Sequence, residues 1–185
     1  MAHTTVAEEE LLEKTTALFL EYGFAGTSLS QIAAATGLEK ASLYYRYPGG
    51  KDEIALAVAG RIAQWLETHL VQPLEAEGDP AQQVREAARQ LRKLYGDGTK
   101  WCGLEMLSLK GASDAMVEGL RAALTRWIAA FAMVARRAGA TPAASRQRAE
   151  LAVAQIEGSL VLSRVLGSPK PFQRVLEGLV GALVG

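Results

Sequence analysis

Residues 28–47 read Ser-Leu-Ser-Gln-Ile-Ala-Ala-Ala-Thr-Gly-Leu-Glu-Lys-Ala-Ser-Leu-Tyr-Tyr-Arg-Tyr, a pattern of two short helices around a glycine-centred turn. Leu29, Ile32, Ala33 and Thr36 fall on one side of a helix, and Gly37 is able to take a positive φ where that helix stops and the chain reverses. Leu38 then plugs the angle between the helices. A second helix fits 40–47, where about 100° per residue puts Leu43 and Tyr47 on one face. The face left over carries Ala41, Ser42 and Tyr45 at its centre, with Lys40, Tyr44 and Arg46 on its flanks. Small residues permit close approach to base edges, hydroxyls bond phosphate or base, and cations neutralise phosphates. That is the chemistry a helix needs in a DNA major groove. The same spacing also fits an ordinary helical hairpin with half-buried tyrosines, because a helix-turn-helix pattern alone is weakly specific.

The flanks separate the two readings. Ala17-Leu18-Phe19, Tyr22-Gly23-Phe24, Gly26-Thr27-Ser28, Ile32-Ala33, Thr36-Gly37-Leu38, Leu43-Tyr44-Tyr45-Arg46-Tyr47-Pro48 and Lys51-Asp52-Glu53 stand in a definite order and spacing. With them the segment 11–57 resembles the N-terminal domain of the TetR family of transcriptional regulators. The resemblance implies an all-α chain with a three-helix helix-turn-helix DNA-binding domain at 1–50 and a helical regulatory and dimerisation domain at 51–185. It implies a homodimer that binds a palindromic double-stranded DNA operator, most often as a repressor, and lets go when a small-molecule effector shifts the two readers apart. It also implies phosphate contacts from Thr27 and Ser28, where the first reader helix begins, and from Lys51. Two features depart from the family's pattern. Gly49-Gly50 adds one residue between Pro48 and Lys51, and Glu39 stands where serine or threonine more often caps the recognition helix. The Glu39 charge disfavours DNA locally or excludes certain sequences.

A chain of 185 residues with a hydrophobic share of 49% supports one compact unit or a small module joined to a larger one. The formal net charge is zero, so no global basic field marks it as a nucleic-acid binder. The local distribution offsets this in part: up to position 51, Glu8, Glu9, Glu10, Glu13 and Glu21 precede the turn, whereas Lys40, Arg46 and Lys51 follow it, with Lys14 and Glu39 as exceptions. Cys102 is the single cysteine, which rules out an intrachain disulfide and points to a reducing cytoplasm. Apolar runs such as 127–135 are too short to span a bilayer, and the first residues carry glutamates in place of a basic, apolar signal. The expectation is a cytoplasmic protein without a membrane partner.

Along the chain, Thr5 and Glu8 have capping-box spacing, and Leu11, Leu12, Thr15, Leu18, Phe19 and Tyr22 then recur at helical spacing until Gly23. Thr27 or Ser28 caps the next helix, with Gln31 completing a box from Ser28. After Pro48-Gly49-Gly50, a helix from Lys51 carries Ile54, Val58, Ile62, Trp65 and Leu66 on one face. Pro73 and the stretch 77–80 mark its end. Further helices fit 81–95, the short apolar 101–109 and 114–138. No stretch alternates with period two for long enough to suggest a strand, so the whole chain reads as helical.

The segments 143–166 and 172–184 are apolar over so wide an arc that each must be covered on more than one side. Two such helices from each of two chains make a four-helix dimer interface; burial inside a monomer is the alternative. Trp65, Trp101, Cys102, Met106, Trp127, Phe131 and Met133 fit either a ligand cavity or plain core packing, with Gln155, Glu157 and Ser159 as candidate polar contacts. A neutral, apolar lining favours a hydrophobic or aromatic ligand. Nothing calls for an enzyme or a cofactor. His3 and His69 lack metal-ligand spacing, no glycine-rich loop follows a strand, and Cys102 reads best as an inert buried thiol. A helical protein-interaction scaffold without specific DNA binding remains the alternative class.

Overall fold

A computed structural model describes residues 6–100, 102 and 113–185. These divide into two compact units, one formed by 6–63 with 113–120, the other by 64–100, 102 and 121–185. Every regular element among them is helical. Thr5, Trp101, Met106 and the segment 103–109 lie outside the described residues.

In the first unit, α1 spans Glu8–Gly26, with Glu8, Glu9 and Glu10 in its first turn, where negative charge complements the helix dipole. Ala7 precedes it without a side-chain cap. Gly23, at φ 72° and ψ 166°, interrupts the helix where the sequence places its end, and one more turn follows to Gly26. α2 spans Leu29–Thr36 and is capped by Ser28 through the expected box: Gln31 N–H donates to Ser28 Oγ, and Ser28 N–H donates to Gln31 Oε1 at 2.7 Å. Gly37 closes it at φ 72°, ψ 13°, the left-handed conformation that an L side chain enters only with strain. α3 spans Lys40–Arg46 and α4 spans Lys51–Leu66. Leu11, Phe19, Ile32, Leu43 and Ile54 meet in one core and are inaccessible or nearly so. Full burial of each contributes roughly 1.5–3 kcal/mol, which is what gives such short helices a fixed place.

In the second unit, the helical path continues beyond Pro73, where the sequence suggested a stop. A π turn at Glu67–Val71 runs into α5, Gln72–Glu75. Pro73 has no N–H to give the carbonyl four residues back, and its ring would crowd that carbonyl. The wider turn just before it relieves both problems. Arg126 spans the turn, meeting Glu67 at 2.9 Å and Glu75 at 2.8 Å. α6 spans Pro80–Leu94, capped by Asp79, whose carboxylate accepts from Gln82 N–H at 2.7 Å. α7 covers Asp114–Arg137, of which 114–120 belong to the first unit; α8 covers Pro142–Val165 and α9 Lys170–Leu183. The predicted 81–95, 114–138, 143–166 and 172–184 all appear within two residues of their expected ends. α9 packs along α8 and α6, and Gly98 lets Phe172 approach so closely that an added Cβ would sit 3.0 Å from it.

Candidate functional site

Leu43 and Tyr47 turn α3 inward, as the sequence requires, and are buried. The opposite face is open. Lys40, Ala41, Tyr44 and Tyr45 are exposed and Ser42 is half-buried, with Tyr45 at 89% the most accessible large apolar side chain described. Tyr44 lies close to Gly50, which has φ 66°: a Cβ added there would sit 3.5 Å from the Tyr44 ring carbon Cε1. Glu39 precedes the helix with an extended backbone; its carbonyl accepts from the Ser42 and Leu43 N–H groups, and its side chain makes no cap.

Two sets of tethers fix this helix. Arg46 Nη1 donates to the Val6 carbonyl at 2.8 Å, and the Tyr47 hydroxyl donates to the Glu8 carboxylate, so the end of α3 is tied to the start of α1. On the other side, Lys51 Nζ donates to the carbonyls of Phe24 and Thr27, both at 2.9 Å, and lies 4.3 Å from the Phe24 ring centroid. Thr27 sends its hydroxyl inward to Gly23 and Leu18 carbonyls and is buried. The nine residues picked from sequence thus fall into two groups. Ser28, Lys40, Ala41, Ser42, Tyr44 and Tyr45 lie on the accessible side, whereas Thr27, Arg46 and Lys51 spend hydrogen bonds inside the fold. Arg46 and Lys51 keep further N–H donors beyond those bonds. Sequence reasoning missed the tethers because Val6 lies 40 residues from Arg46, and no periodicity carries such a pairing.

A family model described as bacterial regulatory proteins, tetR family, matches residues 11–58, and one described as the transcriptional regulator LmrA/YxaF-like C-terminal domain matches residues 80–177. The chain belongs to the TetR family. The HTH-type transcriptional regulator LmrA of Bacillus subtilis is 26% identical over 173 residues, covering 91% of this chain and 92% of that protein. Among solved structures, a TetR transcriptional regulator from Legionella pneumophila superposes with a TM-score of 0.86 at 18% identity, covering 97% of this chain and 99% of that one. AibR, solved in complex with isovaleryl coenzyme A and operator DNA, does so with a TM-score of 0.69 at 17% identity, over 95% and 97% of the two chains.

Within this TetR-family chain, Trp101 and Met106 of the ligand residues expected from sequence lie outside the described residues, and the others have the following surroundings. Trp127 and Phe131 are fully buried with ring centroids 5.9 Å apart, and the Trp127 indole N–H has no acceptor among the described residues. Trp65 is half-buried and stacks on His69 at 4.6 Å. Gln155 and Ser159 line an open groove of about 640 Å³ between α8 and α9, and the Ser159 hydroxyl donates to the Ile156 carbonyl. Glu157, two residues on from Gln155 and so about 200° around the helix, faces the other way. Its carboxylate accepts from the Tyr95 hydroxyl at 3.1 Å and from the Cys102 thiol. Burial, then the neighbouring Glu157 carboxylate and Cys102, raise the Tyr95 pKa well above its usual 10.0. Tyr95 was not picked out from sequence; its place next to the helix-ending Gly96 gave no sign of it. Met133 lines a second groove of about 580 Å³ between α7 and α8, with Ile128, Ala132 and Arg136.

Among the described residues no helix is long and apolar enough to cross a membrane, and no group of three or more metal-ligating side chains occurs. The family is one of transcriptional regulators.

Proposed function

We propose that this TetR-family regulator is a repressor that binds a palindromic operator as a homodimer through the outer face of α3 and releases it on binding a small hydrophobic or aromatic effector. The observation that carries the reading is the sidedness of α3: Leu43 and Tyr47 are buried, while Lys40, Ala41, Tyr44 and Tyr45 stand open on the other side. In this arrangement Lys40 neutralises a phosphate, Ser42, Tyr44 and Tyr45 contact phosphate or base edges, and the exposed Ser28 meets the backbone at the start of α2. Thr27 acts by holding the turn. Arg46 and Lys51 add charge from their tethered positions.

Dimerisation draws support from α8 and the residue that follows it, where Leu151, Leu162, Val165 and Leu166 are exposed by 54% to 80%. Gly158 and Gly178 line the groove beside them, and small residues permit close helix approach. Apolar surface of this kind asks for a protein cover, and two-fold symmetry doubles the contacts of a short reading helix on a palindrome. The effector reading draws on the buried Trp127 indole N–H, a donor that an effector oxygen can satisfy. It also draws on AibR, a protein of this fold that holds isovaleryl coenzyme A and operator DNA.

The test is a gel shift with DNA from the flank of the protein's own gene at two salt concentrations. Specific retardation that weakens at the higher salt is expected. Absence of any shift at low salt overturns the regulator reading and favours the scaffold, for which the exposed α8 residues are the supporting feature. A thermal-shift screen of apolar and aromatic compounds tests the effector, and no response from any of them counts against it.

A further inference from the structure

Within the second unit, α7 turns two stripes to different surroundings. Trp127, Phe131, Val134 and Ala135 are buried in the core. Ile128, Ala129, Ala132 and Met133 instead line the trough of about 580 Å³ whose other wall is the first half of α8, with Pro142 and Ser145. Ala129, Ala132 and Ser145 are small, which keeps the space between the two helices open, and the Ser145 hydroxyl is already given to the Pro142 carbonyl at 2.8 Å. The volume lies within the range of about 300–1,000 Å³ that small-molecule sites occupy. From Thr125 to Arg136 the α7 wall runs about 16 Å along the helix axis, so the trough suits an elongated occupant.

The charged groups around the trough decide what that occupant is. Arg146, on the α8 wall, meets Glu150 at 2.8 Å, so its charge is answered. On α7, Arg126 is held by Glu67 and Glu75, and Arg137 donates to the Leu74 and Ala76 carbonyls and to Gln83. Arg136, the last α7 residue of the trough, has no hydrogen bond or ion pair of its side chain among the described residues. The lining therefore carries one positive charge in excess beside an apolar floor. A guanidinium offers parallel N–H donors that match the two oxygens of a carboxylate. A second copy of the chain fits less well here. The three most exposed leucine and valine side chains, Leu162, Val165 and Leu166, lie at the far end of α8, so the surface that most needs a protein cover is not this one.

We infer that the trough between α7 and α8 is a second small-molecule site, taking a monocarboxylate with an elongated apolar body whose acid group meets Arg136. The site is distinct from the buried Trp127 indole, and it does not depend on α3 reading DNA.

The experiment is a titration of the full-length protein with decanoate, and with decan-1-ol as an uncharged probe of equal chain length, read by NMR from the methionine methyl and tryptophan indole N–H signals. Met133→Leu assigns the Met133 methyl, and Trp65→Phe and Trp101→Phe assign the Trp127 indole by elimination. Decanoate is expected to move the Met133 methyl saturably and to leave the Trp127 indole in place. Decan-1-ol should bind about fivefold more weakly, the scale of one exposed ion pair. Arg136→Gln has no partner to lose, so it should keep the thermal midpoint and bind decanoate no better than the wild type binds decan-1-ol. Ala129→Trp fills the trough from an exposed position and should abolish binding of both probes. Equal affinity of wild type and Arg136→Gln for decanoate, or binding that survives Ala129→Trp, overturns the inference. So does silence at Met133, or a shift of the Trp127 indole alone, which puts the ligand in the core. A Met133 signal that moves on protein dilution and not with decanoate assigns the trough to a second copy of the chain and overturns the inference as well. None of these outcomes bears on the reading of α3, which the gel shift tests separately.

Discussion

At the scale of single residues, the reader divides its labour between side chains that hold the backbone and side chains that are spare. Tyr45, exposed by 89%, and Lys40 both stand open to solvent. Tyr45→Ala and Lys40→Ala should therefore leave the thermal midpoint unchanged and weaken operator binding, and Lys40→Ala should flatten the slope of log K against log salt by about one unit. Unaltered affinity in both variants would remove them from the interface. Lys51→Met should behave in the opposite way. It removes the ammonium donor from the Thr27 carbonyl and from the Phe24 carbonyl, which keeps only the Thr27 N–H at 3.4 Å, and a loss of about 1–3 kcal/mol in denaturant titrations is expected. Tyr95 carries the pH prediction. Its pKa is raised by burial and by Glu157, so above pH 10 the unfolded chain gives up a proton that the folded chain keeps. Stability conferred below that pH is then lost as pH climbs toward the folded value. Alkaline unfolding curves of Tyr95→Phe should fall less steeply than those of the wild type.

At the scale of elements, the parts legible in the sequence are those fixed by neighbours along the chain. Ser28 and Gln31 stand three apart and form their box; Gly37 takes the left-handed conformation that the α2 to α3 turn needs. Ser28→Ala should cost about 1 kcal/mol through loss of the cap, read as a lower thermal midpoint of the reader unit. The sidedness of α3 was equally plain from Leu43 and Tyr47. What periodicity could not convey was any bond between distant positions: Arg46 on the Val6 carbonyl, Tyr47 on Glu8, and Lys51 on the end of α1. Two of these residues, Arg46 and Lys51, are ones that charge or family position alone assigns to phosphate, and here they also hold the fold. The same limit explains the ligand residues, since aromatics at helical spacing serve core and cavity alike. Helical spacing alone puts Gln155 and Glu157 on opposite sides of α8, but only coordinates show the groove beside one and the Tyr95 hydroxyl beside the other. Pro73 misled for a local reason: proline halts a strict α-helix, but a π turn before it lets the helical path go on.

At the scale of the whole molecule, the strip on α8 and its groove with α9 set the expected assembly. Leu162→Glu or Val165→Glu places a carboxylate on an apolar, exposed position, so the folded protomer should survive while its partner is lost. Sedimentation should then report a monomer for the variant and a dimer for the wild type at micromolar concentration; a wild-type monomer would remove the dimer. Operator binding should fall with it, because one short helix reaches few bases. Leu162, Val165 and Leu166 thereby acquire a further significance. If pairing through them is reversible at the levels found in a cell, operator occupancy rises with roughly the square of protomer abundance at low copy number. The abundance of the regulator then becomes a signal in its own right, and a modest change in synthesis or turnover reaches its target genes amplified.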